Sequence, residues 1–186
     1  MLFAEDLMEF TLAQFGVNWV EKETGIRRFR SRIQKQLFRP QIGMAVCDLI
    51  ATHSEVIIKC YKDLILRGMN CVEDFKYEAT ITTIYYLSNG LSCIKYLQLC
   101  ALFSGITYQC FRNNDCSLAR DIASASSQLL AYVANYFIYE IFFIPNEFWF
   151  EFFLVAQAVR RRIWNGTLYA NWNEFRDIEL PYFDMF

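Results

Sequence analysis

The side chains best suited to metal binding or nucleophilic catalysis in this sequence are its one histidine, His53, and its seven cysteines. No second metal ligand or catalytic partner stands at a suitable spacing from His53. The cysteines form no CxxC pair, and most fall in apolar helical patterns, where a thiol behaves as a small buried hydrophobe. We therefore expect reduced thiols, no bound metal and no cofactor.

Enzyme motifs are missing from the remaining polar residues. The sequence has no Gly-rich phosphate loop, no GxSxG elbow and no HExxH helix. Carboxylate pairs at helical spacing are common on solvated helix faces and indicate little by themselves. The sequence therefore predicts a protein that binds, and not an enzyme.

Lys95 is the charged side chain with the most unusual surroundings. It lies near the start of residues 92–110, "SCIKYLQLCALFSGITYQC", where most other side chains are small, thiol, aliphatic or aromatic. A cation one turn into an apolar helix can meet the carboxylate of a partner. The alternative is a solvated residue in the first turn of a helix.

The elements that position these residues are predicted to be helices throughout. Apolar residues recur at three- and four-residue spacing, and only 7 Gly and 3 Pro interrupt the 186 residues. Helices are predicted over residues 4–20, 25–39, 44–59, 60–66, 72–87, 92–112, 115–141 and 146–164. Residues 165–186 are an aromatic tail of uncertain structure, so 1–164 is predicted to form a single helical domain.

Two apolar runs, residues 96–111 and 129–144, decide the predicted architecture. Each is shorter than the roughly 20 residues of a bilayer span, and a helix that is apolar all round must be enclosed. The fold predicted is a central apolar hairpin surrounded by amphipathic helices. The alternative is a membrane protein in which these runs form a helical hairpin.

Charge and composition narrow the partners. The net charge is −2, so no nucleic-acid partner is expected, and acids in "MLFAEDLMEF" argue against a secretory signal and for a cytoplasmic protein. Residues 25–39 form a basic amphipathic stretch, which indicates either a membrane or acidic-partner contact or a solvated helix with one packed face. The 18 Phe and 11 Tyr are predicted to fill the core.

The segment "LSNGLSCIKYLQLCALFSGITYQCFRNND" resembles the first homology segment of the B-cell lymphoma-two (Bcl-two) family of apoptosis regulators. That segment has a Gly, then Asn-Trp-Gly-Arg, then an apolar helix with a small-Gly pair. Gly90 matches the first Gly, Lys95 falls on the Arg, and Ser104-Gly105 falls on the small-Gly pair. Cys93-Ile94 replaces the Trp and the second Gly.

A second segment, "NEFWFEFF", is similar to the second homology segment of the same family, with Asn146 and Trp149 retained. The distance between the two segments is within a couple of residues of that in the family. In the family such residues mainly cap the last helix and pack it against the core, which is the role expected here.

A third, degenerate segment is similar to the death motif of the family. Val46, Ile50, His53 and Ile57 have the spacing i, i+4, i+7, i+11, and Ser54-Glu55 takes the positions of a small residue and an acid. His53 is a poor apolar anchor at the third position.

The resemblance implies a hydrophobic groove that binds the death-motif (BH-three) helix of pro-apoptotic relatives. The groove would be walled by the second to fourth helices and floored by the start of the central helix, with Lys95 meeting the partner's Asp. A Lys in place of Arg loses the bidentate fork, so this pair is expected to be weaker. The candidate apolar lining is Ile57, Tyr61, Leu64, Phe75, Tyr77, Ala79 and Ile84.

The function implied is apoptosis regulation. The degenerate death motif favours a pro-survival member. The replacement of motif residues in the homology segments resembles the pattern in divergent viral or invertebrate homologues. The alternative within the family is a pro-apoptotic pore former. Homodimer formation and association with the mitochondrial outer membrane stay open as further alternatives.

Overall fold

The computed structural model describes residues 2–20, 38–88, 90, 92–113, 116–140 and 145–168. Within these ranges the chain forms seven helices and no strand, which confirms the all-α prediction. The helices are α1 (Leu2–Gln14), α2 (Pro40–Thr52), α3 (Ser54–Leu66), α4 (Val72–Leu87), α5 (Cys93–Arg112), α6 (Cys116–Glu140) and α7 (Pro145–Trp164). Residues 25–37 of the predicted basic helix and residues 169–186 of the tail lie outside the described part.

The first helix is shorter than predicted. It ends at Gln14 because the chain turns there: the Val17 N–H donates to the Leu12 carbonyl at 2.9 Å. Trp19 is nevertheless buried, so the apolar stripe predicted to run on to Trp19 continues into the core after the helix has ended.

The predicted helix over residues 44–59 is wrong. The chain breaks at His53, where φ is −112° and ψ is 27°, and α2 and α3 meet there at a bend of 78°. Pro40 opens α2, a position in which its missing N–H costs nothing. No Gly or Pro marks the break at His53, so the apolar spacing runs through it without interruption.

The fifth helix is the centre of the bundle. α5 contacts each of the other six described helices, and most of its residues are buried. Ser92 caps its start by accepting from the Lys95 backbone N–H at 3.4 Å. The prediction made α6 the second enclosed helix of a central hairpin. In the structure α6 packs on α5 but exposes one face, including Tyr132 and Tyr136. Of the two, only α5 is enclosed.

An aromatic cluster fastens α1, α5 and α7 together. Phe152 of α7 is fully buried, and its ring centroid lies 5.8 Å from Phe3 and 5.1 Å from Tyr96. Phe148 stacks on Phe152 at 5.8 Å, and the half-buried Trp149 lies 4.5 Å from Phe3. The Tyr96 hydroxyl also donates to the Leu130 carbonyl of α6 at 3.0 Å, which joins this cluster to the α5–α6 contact.

A partly buried ion pair holds α2 against α7. The Arg160 Nε donates to the Asp48 carboxylate at 2.8 Å, with 18% and 22% of the two side chains exposed. The Arg160 guanidinium also lies 4.6 Å over the Trp164 ring. This pair orients α7 relative to α2.

Within the described ranges, no one helix has both the length and the hydropathy needed to cross a bilayer. The bent pair of α2 and α3 meets the criterion only when the two helices are taken together.

Candidate functional site

A trench of about 140 Å³ opens between α3 and α4 above the middle of α5. Its floor is apolar, and Phe103 of α5 meets Phe75 of α4 edge to face at 6.3 Å. Both walls carry polar residues at the rim. The lining consists of Cys60, Asp63 and Leu64 from α3, Arg67 just after it, Phe75, Glu78, Ala79 and Thr82 from α4, and Leu102, Phe103 and Ile106 from α5.

The trench exists because its two walls rest on the bundle below and scarcely on each other. α3 packs on α5, whereas α4 packs on both α5 and α6. Among the described residues, one ion pair spans the gap between the walls: Arg67, which caps the C-terminal end of α3, donates to the Glu78 carboxylate of α4 at 3.1 Å. The Arg67 side chain is 65% exposed, so this pair adds little stability and can break readily.

Lys95 lies on the face of α5 that floors the trench. Lys95, Leu102 and Ile106 are spaced i, i+7 and i+11, so all three side chains project from one side of the helix. Seven residues place Lys95 about 10 Å along the axis from Leu102. The Lys95 ammonium donates to the Gly90 carbonyl at 2.6 Å. An ammonium has three N–H donors, so a carboxylate can share it with that carbonyl.

Three of the seven predicted lining residues lie in the trench, namely Leu64, Phe75 and Ala79. Ile57 lies beneath it, fully buried. Tyr61 lies nearer the C-terminal end of α5, where burial raises the pKa of its phenol and Asn113 is its hydrogen-bond partner.

The predicted lining residues Tyr77 and Ile84 point the other way. Their residues are 66% and 65% exposed, on the outer face of α4. The periodicity could not assign them because α4 is apolar on both faces, so either face could have been the buried one. The predicted floor also differs, since it is the middle of α5 and not its start.

Sequence reasoning missed the floor residues Leu102, Phe103 and Ile106. A signal for two of them was present, because Leu102 and Ile106 repeat the helical spacing from Lys95. It is hidden in a helix that is apolar all round, where every face has the same composition.

Gly105 is a point of close approach between α3 and α5. A Cβ built at Gly105 would lie 2.8 Å from Cγ2 and 2.9 Å from Cδ1 of Ile57. These separations are shorter than carbon atoms tolerate, so only a glycine admits Ile57 at this position. The small-Gly pair of the sequence motif thus has a packing role at the base of the trench wall.

The other residues of the homology segments have local structural roles. Gly90 has a φ of +93°, a left-handed conformation that glycine adopts without strain, and it turns the chain between α4 and α5. Trp149 packs into the aromatic cluster. Asn146 falls in the first turn of α7, but its side chain is outside the described part.

The degenerate death motif does not lie on one helix. Val46 and Ile50 belong to α2 and Ile57 to α3, with His53 at the 78° bend between them. All four anchor positions are buried, whereas Ser54-Glu55 is exposed. The spacing that matched a continuous helix therefore serves two helices that each insert apolar residues into the core.

The buried thiols Cys47 and Cys110 are poor nucleophiles. Six cysteines are free within the described side chains, and burial raises the pKa of Cys47 to about 11 and that of Cys110 to about 12. A thiolate is therefore scarce at neutral pH. No group of three or more His, Cys, Asp or Glu residues in the described part is placed to hold a metal ion.

Acid is expected to weaken the fold through His53. The residue is 2% exposed, and burial lowers the pKa of its imidazole below 6.5, although the hydrogen bond to the Leu49 carbonyl acts in the opposite direction. Because the unfolded chain then binds a proton more readily than the folded one, stability is full above about pH 6.5 and falls as the pH drops below it. Urea denaturation at pH 7.5 and 5.5 measures the loss.

A His53→Gln variant is the control for that measurement, because glutamine keeps a polar side chain but does not titrate. We expect it to lose less stability than the wild type over the same pH interval. Equal losses in the two proteins would mean that the folded state protonates His53 without cost.

Comparison with known proteins finds no matching family model and no significant match among curated proteins or solved structures.

Proposed function

We propose that this chain is a pro-survival regulator of apoptosis that binds the amphipathic BH-three helix of a pro-apoptotic protein in the α3–α4 trench. The observation that carries the proposal is the position of Lys95. It lies on the same face of α5 as the trench floor, at the residue that falls on the Arg of the Bcl-two motif. In helix-in-groove recognition, apolar anchors supply the affinity and one charge pair fixes the register.

The dimensions of the site suit a short helical ligand. Lys95 and Ile106 are eleven residues apart, about 16 Å along α5, which corresponds to roughly three turns of a ligand helix. An acid on the ligand would meet Lys95 while its apolar face entered the trench above Leu102 and Ile106. The exposed Asp63 at the rim favours a basic residue elsewhere on the ligand.

Binding on this proposal requires the trench to widen. Its volume of about 140 Å³ admits one or two apolar side chains, and ligand pockets are commonly about 300 Å³ or more. The walls can separate because Arg67–Glu78 is their one bridging ion pair among the described residues. A death-motif helix would replace that contact with its own apolar anchors.

The state of the internal death motif supports survival over killing. A pro-apoptotic member has to present its own motif as one exposed helix. Here Val46 and Ile57 are fully buried, and the helix axis bends by 78° between them. Presenting the motif would require both removal of these residues from the core and straightening of the chain at His53.

Charge exchange across Lys95 tests the proposal. The purified chain is titrated with a panel of fluorescent death-motif peptides, and binding is read by fluorescence anisotropy. We expect Lys95→Glu to weaken a peptide carrying the usual Asp by about 10- to 100-fold, because an attractive pair becomes a repulsive one. Changing that Asp to Lys in the peptide is expected to restore binding to the variant and to weaken binding to the wild type.

Arg120→Glu is the matched charge reversal, on the exposed surface of α6. It changes the net charge equally and is expected to leave the affinity unchanged. If no peptide of the panel binds the wild type, or if Arg120→Glu has the same effect as Lys95→Glu, the groove assignment fails.

A further inference from the structure

A second apolar surface lies on the exposed side of α4, between the side opposite the trench and the trench rim at Glu78. Tyr77, Ile81, Ile84 and Tyr85 are 66%, 45%, 65% and 80% exposed, although all four are large apolar residues. Their buried counterparts on the same helix are Phe75, Ala79 and Thr83. We refer to Tyr77, Ile81, Ile84 and Tyr85 as the α4 outer strip.

The spacing of the strip is that of a helix-pairing seam. Tyr77, Ile81 and Ile84 are separated by four and then three residues, the alternation of core positions in a coiled coil. Such positions lie along one side of the helix and insert between the side chains of a facing helix. Tyr85 widens the strip by one position.

The charges around the strip favour a second copy of this chain. Residues 79–88 contain no Asp, Glu, Lys or Arg, so from Ile81 to Tyr85 the strip offers no charge for a differently charged partner to recognise. Lys76 and Glu78 flank it at Tyr77. Two strips paired antiparallel about an axis between Ile81 and Ile84 bring no like charges together. The acidic first turn of each helix, at Glu73 and Asp74, then falls beyond Leu87 of the other copy.

The area of the strip is sufficient for such a contact. With about 200 Å² for each fully exposed large side chain, the strip presents roughly 500 Å². Two copies would bury about 1,000 Å² in total, which is the lower bound for a specific interface. Exposed apolar patches of this size on soluble proteins usually have a binding role.

We propose that two copies of this chain form a two-fold symmetric dimer through the α4 outer strip, with the two α4 helices antiparallel and Ile81 of one copy facing Ile84 of the other. Tyr77 and Ile84 project away from the trench-lining Phe75 and Ala79, so both copies keep the trench open to a ligand. Interfaces at the lower end of the size range are weak or transient, so we expect a dissociation constant in the micromolar range. The dimer does not depend on the function proposed for the trench.

Sedimentation equilibrium of the full chain tests the dimer. The wild type is expected to shift from monomer to dimer over the micromolar range, and Ile84→Glu to raise the dissociation constant by about tenfold or more, because two charges would meet at the axis. Tyr85→Glu is a second variant with the same expected direction. Circular dichroism checks that each variant retains its helices.

Phe150→Glu is the control. Phe150 is 58% exposed on α7, which packs on α2, α5 and α6 and away from the strip. The Phe150→Glu variant should dimerise as the wild type does. A mixture of Ile81→Cys and Ile84→Cys proteins, oxidised with glutathione disulfide, should form the mixed cross-linked dimer faster than either protein alone.

Three results would overturn the proposal: a wild type that stays monomeric throughout the micromolar range, a dimer that is insensitive to both strip variants, or preferential cross-linking of each cysteine variant with itself. A monomer whose binding to phosphatidylcholine vesicles is lost on Ile84→Glu would assign the strip to a membrane surface instead.

Discussion

Phe152→Ala is expected to lower the free energy of unfolding by about 3–5 kcal/mol, the range for removal of a fully buried aromatic side chain. Phe152 is 0% exposed and lies at the centre of the cluster that joins α1, α5 and α7. Its loss leaves a cavity between Phe3, Tyr96 and Phe148, whose rings are fixed by further contacts and cannot close it. Urea denaturation followed by circular dichroism gives the difference.

Phe150→Ala provides a control of identical chemistry on the same helix. Because its ring is 58% exposed, we expect a change within about 0.5 kcal/mol. Similar losses for the two variants would mean that α7 does not dock on the bundle through the face that contains Phe152.

Gly105→Ala is expected to destabilise the wild type but to stabilise a chain that already carries Ile57→Ala. In the wild type, the new methyl group would lie 2.8 Å from Ile57 Cγ2, and a buried β-branched side chain has no other rotamer to adopt. We expect a net loss of about 1–2 kcal/mol, because overpacking outweighs the gain in helix propensity.

The Ile57→Ala background reverses the sign of that effect. Ile57→Ala alone should cost about 2–5 kcal/mol through the cavity it leaves. The methyl of Ala at position 105 then fills part of this cavity and also favours the helix, so the two substitutions should couple by about 1–3 kcal/mol. A double-mutant cycle measured by urea denaturation gives the coupling.

The same substitution in the Phe152→Ala background serves as the comparison. Phe152 packs around Tyr96, nine residues from Gly105 along α5, so the two effects should add. An additive result in the Ile57 cycle as well would show that α3 does not rest on α5 at Gly105.

The sequence predicted α4 and α5 almost to the residue, because strong local signals bound them. Gly90 ends the turn after α4, and Ser92 caps α5. The enclosed position of α5 also followed from its composition, since a helix without a polar face has to be covered on all sides.

The bend at His53 could not be predicted in the same way. Neither Gly nor Pro stands there, and Val46, Ile50 and Ile57 keep a helical spacing across the break. Tertiary packing decides the break, because α2 docks on α1, α5 and α7 whereas α3 docks mainly on α5. The spacing of apolar residues in a sequence indicates which residues are buried. It does not indicate which helix they pack against.

The candidate site was predictable only in part for a related reason. Leu64, Phe75 and Ala79 were expected in the lining from the family resemblance, which implies a groove between these helices. Tyr77 and Ile84 were misplaced because α4 carries large apolar residues on its outer surface too, and periodicity has no means to rank two apolar faces. The exposed apolar residues of the α4 outer strip are the cause of that ambiguity.

The separate supports of the two trench walls have a mechanical consequence. α3 packs on α5 at Gly105, whereas α4 packs on α6 as well as on α5. A small rotation of α6 against α5 therefore changes the width of the cleft far from the rotation itself. The Tyr96–Leu130 hydrogen bond joins α5 to α6 and so links the support of α4 to that of α3.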